Sequence, residues 1–347
     1  MKRILQAVIA VAAFASVTFV AASLMAAELE KKVVVYSTHG EAMLEMVADA
    51  YTKETGVKVD FINLKGALAD RVRAEKANPQ SDVMYGAPSS VYLELKSEGL
   101  FDAFTPSWAD KLDPLFKDAE SYWYGTIQTP VMMFYNTEML SEDEAPKDWY
   151  ELTDPKYAGN LVFRNALSSS ARATYSALLQ QFEQKGELDK GWQFMKALDA
   201  NTKQYYGSGS MLFQAVGRKE AAVSFMVLNS IIDNKINNKM PLAVIDATSG
   251  SPVITDGIAL IHGAKHPNAA RSFIEFAGSA KIQAMLAQKF NRLPTHPDAL
   301  ADSPAWMADT HFKVMDVDWQ DLAAKQSAWM QKWDAEVKNS GKDPKGK

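Results

Sequence analysis

The chain of 347 residues contains no cysteine. Its folded state therefore rests on packing alone, and disulfides, thiol nucleophiles, iron–sulfur ligation and a lipidated cysteine are excluded. Histidine is scarce: His39, His262, His266, His296 and His311 are the full set. None stands in H-E-x-x-H or in another close-spaced metal-ligand pattern. A P-loop and a G-x-S-x-G nucleophile elbow are also missing. The sequence has no internal repeat and no low-complexity stretch, and past its first thirty residues no apolar run long enough to span a bilayer. Acidic clusters such as Asp110/Asp113 and Glu142-Asp143-Glu144 lie in hydrophilic stretches and read as solvated faces. These absences leave no catalytic pattern standing. A hydrolase built from His39 and a nearby serine has no motif behind it.

What is present begins at the N-terminus. Met1-Lys2-Arg3 is a basic start, Ile4 to Met25 is an apolar run broken by Ala and Ser, and Ala26-Ala27-Glu28 follows. This layout predicts a cleavable signal peptide over residues 1–26, cut after Ala26 or Ala27, and a periplasmic destination. An uncleaved N-terminal anchor is the alternative. The remaining chain is long enough for two lobes with their own cores. Hydrophobic residues make up 47% and charged residues 23%, as in an ordinary globular protein. The formal net charge is -5, more negative once Lys2 and Arg3 are removed. That sign argues against nucleic acid or an anionic membrane as a partner, while leaving room for a locally positive pocket.

Periodicity predicts an α/β chain. Lys32 to Ser37 is a β-branched strand, Glu41 to Thr55 has helical spacing, Gly56 stops it, and Val57 to Phe61 alternates. Residues 66–77 form a second helix, Asp82 to Gly86 a third strand, and Ser89 to Glu98 a third helix. A second region repeats the theme: strand Asn160 to Phe163, helices Ser170 to Glu183, Trp192 to Asp199 and Ser210 to Val216, and strand Glu220 to Phe225. Thr126 to Asn136, with Pro130 inside it, and Val253 to His262 join the two regions as extended crossings. Alternation of this kind gives mainly parallel sheets flanked by helices. Trp319, Trp329 and Trp333 then fall at helical spacing in the C-terminal segment and read as packing residues.

The recurring chemical feature is a run of small hydroxyl or glycine residues at a helix start. The cases are Ser37-Thr38-His39-Gly40, the turn reaching Ser89, Ser168-Ser169-Ser170-Ala171-Arg172, and Ser208-Gly209-Ser210, which has no clear strand before it. First-turn N–H groups are unpaired and carry partial positive charge, so such a start either binds an anion or is simply N-capped by its serine. Arg172 opposes the helix dipole unless an anion offsets it or its side chain turns to solvent. Asp256, at the second crossing, suits a ligand hydroxyl or amine, or serves as a turn residue before Gly257.

The order of these segments resembles the periplasmic solute-binding proteins of ABC importers, in the branch holding ferric-ion and organophosphate or phosphonate binders. The carrying residues are Val33 to Ser37, Tyr51 to Val59, Ser81 to Tyr85, Asp148 to Gly159, Asp256 to Ile261 and His266 to Ala270. The resemblance implies a two-lobed type II periplasmic-binding-protein fold with hinge strands. The expected lobes are residues 28–127 with 255–305, and 128–254, followed by a C-terminal helical segment and polar tail over 306–347. It also implies a non-enzymatic monomer without cofactor, partnered by an inner-membrane permease and its ATPase. The expected cargo is a small anion, a phosphorylated metabolite or phosphonate. The expected contacts are Ser37, Thr38, His39, Ser89, Ser168, Ser169, Ser170, Ala171, Arg172, Ser208, Gly209, Ser210 and Asp256. The ferric alternative has only His39 in a matching position. Ala87-Pro88 stands where a carboxylate is expected, and the pair Tyr205-Tyr206 precedes the wrong helix.

Overall fold

The computed structural model describes residues 29–340; the expected signal peptide and the end of the polar tail lie outside the described residues. The chain runs β1 (Lys32–Ser37), α1 (Glu41–Thr55), β2 (Lys58–Asn63), α2 (Leu68–Ala74), β3 (Val83–Pro88), α3 (Ser89–Ser97), β4 (Phe101–Asp102) and the long β5 (Tyr124–Asn136). Next come β6 (Leu161–Arg164), α4 (Ser169–Glu183), α5 (Leu188–Asn201), β7 (Thr202–Tyr206), α6 (Gly209–Gly217), β8 (Val223–Val227), α7 (Leu228–Ile236) and β9 (Leu242–Ile245). It closes with β10 (Val253–Ile261), α8 (Pro267–Ala277), α9 (Ala280–Phe290), β11 (Leu293–Pro294), α10 (Ala305–Ala308) and α11 (Trp319–Lys332).

The helix α1 shows how sequence sets an element. Met43, Val47 and Tyr51 recur at four-residue spacing and are buried, and Gly56 ends the helix with φ of 76°, its N–H donating to Thr52. Strand alternation then divides the core. Val33, Val35, Val83 and Tyr85 pack on one face against Phe273 and Ile274, while Tyr36 and Met84 pack on the other against Tyr92 and Leu95. Around β5 and β8 the same happens: Met133 and Phe225 enter one cluster, Phe134 and Met226 another.

The strand order is β2-β1-β3-β10-β5-β8-β6-β7. β1 pairs in parallel with β2 and β3, and β6 in parallel with β7 and β8. The central strands are antiparallel: β10 to β3 and β5, and β5 to β8 and β9. β5 changes partner at Pro130. Residues up to Pro130 face β10, and Val131 onward face β8. A proline has no N–H to give to a ladder, so it fits where one pairing ends and the next begins.

Three differences from the sequence reading have physical causes. The Ser208 turn does follow a strand, β7, whose Lys203 and Gln204 are exposed at the sheet edge and hide its pattern. α7 and β9 were not anticipated, because the polar run Asp233 to Lys239 masks a short apolar stripe of Leu228, Ile231 and Ile232. The segment predicted as one helix over residues 66–77 is a 3-10 turn, Lys65–Ala67, followed by the short α2.

Candidate functional site

Four strands, β1, β3, β6 and β8, lead into helices α1, α3, α4 and α7, directly for β3 and β8 and through short turns for β1 and β6. The four N-cap residues, Gly40, Pro88, Ser168 and Val227, all line one cavity of about 780 Å³. None of the four caps its helix with a side chain. The dipoles of four helices therefore converge on one space, at the carboxyl ends of the parallel strands. Glu41 in the first turn of α1 is exposed and does not line the cavity.

The serine-rich starts separate cleanly. Ser208 is an ordinary cap: its Oγ accepts from the N–H of Met211 at 3.2 Å. Ser168 is not. Its Oγ lies 3.2 Å from Ser170 Oγ, and no acceptor among the described residues takes the N–H groups of Ser169, Ser170 and Ala171. Ser168, Ser169 and Ser170 all line the cavity; Ala171 is fully buried beneath them. Gly209 and Ser210 line a neighbouring cleft that shares Arg164 and Met226 with the main one.

On the opposite wall Thr38 and His39 reach the cavity, whereas Ser37 and Ser89 are buried and do not line it. Ser37 acts on the loop itself: its Oγ donates to the Tyr85 carbonyl at 2.5 Å and accepts from the His39 backbone N–H at 3.0 Å. That hydroxyl is engaged by backbone rather than by the imidazole, so no serine–histidine pair forms there. Ala87 adopts a left-handed φ of 74° beside Gly86 at 95°, and its N–H donates to Thr38 Oγ1 at 2.8 Å. A Cβ on Gly86 would stand 2.9 Å from Thr38 Oγ1 and 3.0 Å from the His39 ring, so this close approach requires glycine. His39 is 7% exposed, packs edge-on to Tyr85, and its Nε2 has no hydrogen-bond partner among the described residues. Burial first, and the nearby Arg292 charge second, push its pKa well below the usual 6.5, so the ring is neutral.

Asp256 does reach the cavity, because β10 bulges at Asp256 and Gly257 and turns that side chain inward. It arrives already paired. Arg292 Nη2 donates to Asp256 Oδ2 at 2.5 Å and to Thr129 Oγ1 at 3.2 Å. Burial pushes the Asp256 carboxyl up, and Arg292 and Thr129 pull it back. Among the described residues Asp256 is the sole carboxylate lining the cavity, against Lys65, Arg164, Arg172 and Arg292. Among the described residues no carboxylate pairs with Lys65, Arg164 or Arg172. Arg164 donates one Nη2 bond to the Gly207 carbonyl, its Nε is buried without a partner, and burial lowers its pKa. Arg172 Nε donates to the Ala166 carbonyl at 3.3 Å. A protein of net negative charge thus holds a positive cavity.

Sequence reasoning missed Lys65, Arg164, Arg292 and Thr129. Arg164 ends a strand just before the serine turn, which is a usable signal; Arg292 follows the left-handed cap Asn291 and is aimed only by the pairing of β11 with β5. Trp319, expected to be a packing residue, also lines the cavity, together with Gln326 on α11, whereas Trp329 and Trp333 are core. Tyr205 and Tyr206 do not line it: Tyr205 bonds Asp199 and Tyr206 bonds Glu220. The set His39, Tyr205 and Tyr206 is therefore not assembled around one point. Among the described residues, no group of three or more His, Cys, Asp or Glu is placed to hold a metal ion.

Comparison with known proteins agrees with this architecture. The pattern of bacterial extracellular solute-binding proteins matches residues 46–314. The chain is 32% identical to a probable ABC transporter periplasmic-binding protein of Sinorhizobium fredii, covering 94% of this chain and 92% of that one. A putative 2-aminoethylphosphonate-binding periplasmic protein of Salmonella typhimurium is 25% identical over 88% of this chain and 92% of its own. The structure of the periplasmic binding protein AfuA from Actinobacillus pleuropneumoniae, with fructose-6-phosphate bound, superposes with a TM-score of 0.72 at 25% identity, over 89% of this chain and 99% of that one. The apo ferric ion-binding protein A of Pasteurella haemolytica superposes at 0.79 with 20% identity, over 91% and 100% of the two chains, a likeness of fold. The two-lobed type II fold expected from the sequence is thus present, and the chain belongs to the bacterial extracellular solute-binding proteins.

Proposed function

We propose that this protein is the solute-capturing component of an ABC importer, working in the periplasm, and that its cargo is a small phosphorylated metabolite or phosphonate. The observation that carries this reading is the cavity itself: four uncapped helix starts and three cations without carboxylate partners face one space. The N–H groups of Ser169, Ser170 and Ala171, with the hydroxyls of Ser168 to Ser170, match the oxygens of a phosphoryl group. Arg164 and Arg172 supply its countercharge. A volume of about 780 Å³ suits an enclosed small organic molecule better than a bare ion. The lobes, residues 28–127 with 255–305 and 128–254, close by a hinge where β5 exchanges partners at Pro130. A monomer then presents the cargo to a permease and its ATPase, without turnover.

Ferric-ion capture fits less well. Hard cations want anionic oxygen donors, yet the one carboxylate in the cavity is held by Arg292 and no tyrosine lines it. The test is native mass spectrometry of protein purified gently from periplasm, with metal content read on the same sample. A co-purified species carrying phosphorus supports the proposal. One iron per protein without phosphorus overturns it.

A further inference from the structure

The charge inventory of the cavity says more about the cargo than its phosphoryl end. Among the described residues the one carboxylate there is already engaged, which leaves the face of Trp319 and neutral acceptors as what a cation could meet. Asp256 is the sole lining carboxylate, and its Oδ2 holds Arg292 at 2.5 Å and lies 3.4 Å from Thr129 Oγ1. The four helix starts add positive potential, and Lys65, Arg164 and Arg172 add more. Apart from these cations, the serine turn and the Asp256–Arg292 pair, the polar groups of the lining are neutral. These are the unpartnered Nε2 of a neutral, buried His39, the hydroxyls of Thr38, Ser90 and Thr129, and the carboxamide of Gln326. Asp256 Oδ1 has no partner among the described residues, so it is an acceptor on a pair whose net charge is zero. A ligand ammonium would meet no unneutralised carboxylate here and would recover its desolvation only in part through these acceptors, while a hydroxyl would find both donors and acceptors.

Resting on the phosphoryl reading above, we propose that the cargo is a phosphorylated polyol or sugar without a cationic group. The Asp256–Arg292 pair is the element that selects it against aminoalkylphosphonates. Arg292 converts what would be an amine site into a hydroxyl site.

A matched pair of probes tests this by calorimetry on the mature protein: 2-hydroxyethylphosphonate and 2-aminoethylphosphonate, which differ only in hydroxyl against ammonium. Fructose 6-phosphate and glycerol 3-phosphate are titrated alongside. The expected result is tighter binding of the hydroxyl member by about tenfold or more, or binding of the two phosphate esters with no detectable binding of the amine. Arg292→Met, which frees the Asp256 charge, should shrink or invert the preference, and Asp256→Asn in the same background should restore it. If Arg292→Met fails to fold, the matched pair on the unaltered protein decides alone. Equal or tighter binding of 2-aminoethylphosphonate overturns this inference and leaves the phosphoryl reading intact. Failure of all four probes overturns both.

Discussion

Replacing Arg164 by methionine separates a binding arginine from a structural one, because one role predicts a loss of affinity and the other a loss of stability. In the ligand-free protein Arg164 makes one hydrogen bond, from Nη2 to the Gly207 carbonyl at 3.0 Å, and keeps a buried Nε unsatisfied. Its guanidinium has no carboxylate partner among the described residues, and burial alone lowers its pKa. Losing the bond costs about 1 kcal/mol. Removing a partly desolvated, unpaired cation returns a comparable amount, and methionine fills much of the same volume. Urea unfolding without ligand should therefore give a stability within about 1 kcal/mol of the starting protein. Affinity should move far more. A charge-assisted hydrogen bond to a phosphoryl oxygen contributes about 1.5–3 kcal/mol, so the dissociation constant should rise roughly 10- to 150-fold. Titration calorimetry with the phosphorylated compound that binds the unaltered protein measures it. A stability loss above about 3 kcal/mol with unchanged affinity would refute the reasoning and make Arg164 a structural residue.

Two serine substitutions form a second pair. Ser208→Ala should cost about 1 kcal/mol of stability, as loss of an N-cap does, and leave affinity unchanged, while Ser168→Ala should weaken binding with little effect on chemical unfolding. For pH, the folded state holds His39 below its ordinary 6.5, so it refuses a proton that the unfolded chain accepts. Ligand-free stability should thus fall as pH drops below 6.5, and His39→Gln should flatten that slope in pH-dependent melts, leaving the same-signed share of His296 and, at lower pH, the opposite share of the raised Asp256. Gly257→Ala would set a Cβ 2.6 Å from the fully buried Tyr92 ring, and the resulting overpacking should cost about 1–3 kcal/mol in denaturant titration.

Much of this was legible beforehand where local rules and tertiary needs agree. The β1-α1-β2 run could be read because Val33 and Val35 sit on a sheet buried on both faces and Gly56 is needed at its left-handed cap. The serine turn before α4 could be read because strand and helix signals flank it. Yet sequence left capping and anion binding equally open at Ser168 and Ser208, since both offer the same residues. Only the positions of Oγ and N–H tell them apart. Arg292 was invisible for a different reason. Its approach to Asp256 spans 36 residues of chain and depends on a bulge in β10 and a two-residue strand, neither of which has a periodicity to read. Asp256 itself was found, but its meaning changes with the partner: alone it invites an amine, and beside Arg292 it does not.

The same inventory explains why closure should wait for cargo. The β1-β2-β3 side of the sheet brings the starts of α1 and α3 with Lys65, and the β6-β7-β8 side brings those of α4 and α7 with Arg164 and Arg172. These are like charges and like dipole ends facing one another across a cleft, so in the empty protein their approach is uphill. An anion between them adds attractions to both walls that outweigh the mutual repulsion of those walls. A ligand can shift a conformational equilibrium only by its differential affinity for the two states, and here that difference is largest when both walls reach the same phosphoryl group. On the reading proposed above, the phosphoryl group would drive closure, and the Asp256–Arg292 pair, neutral in sum, would select among phosphorylated molecules.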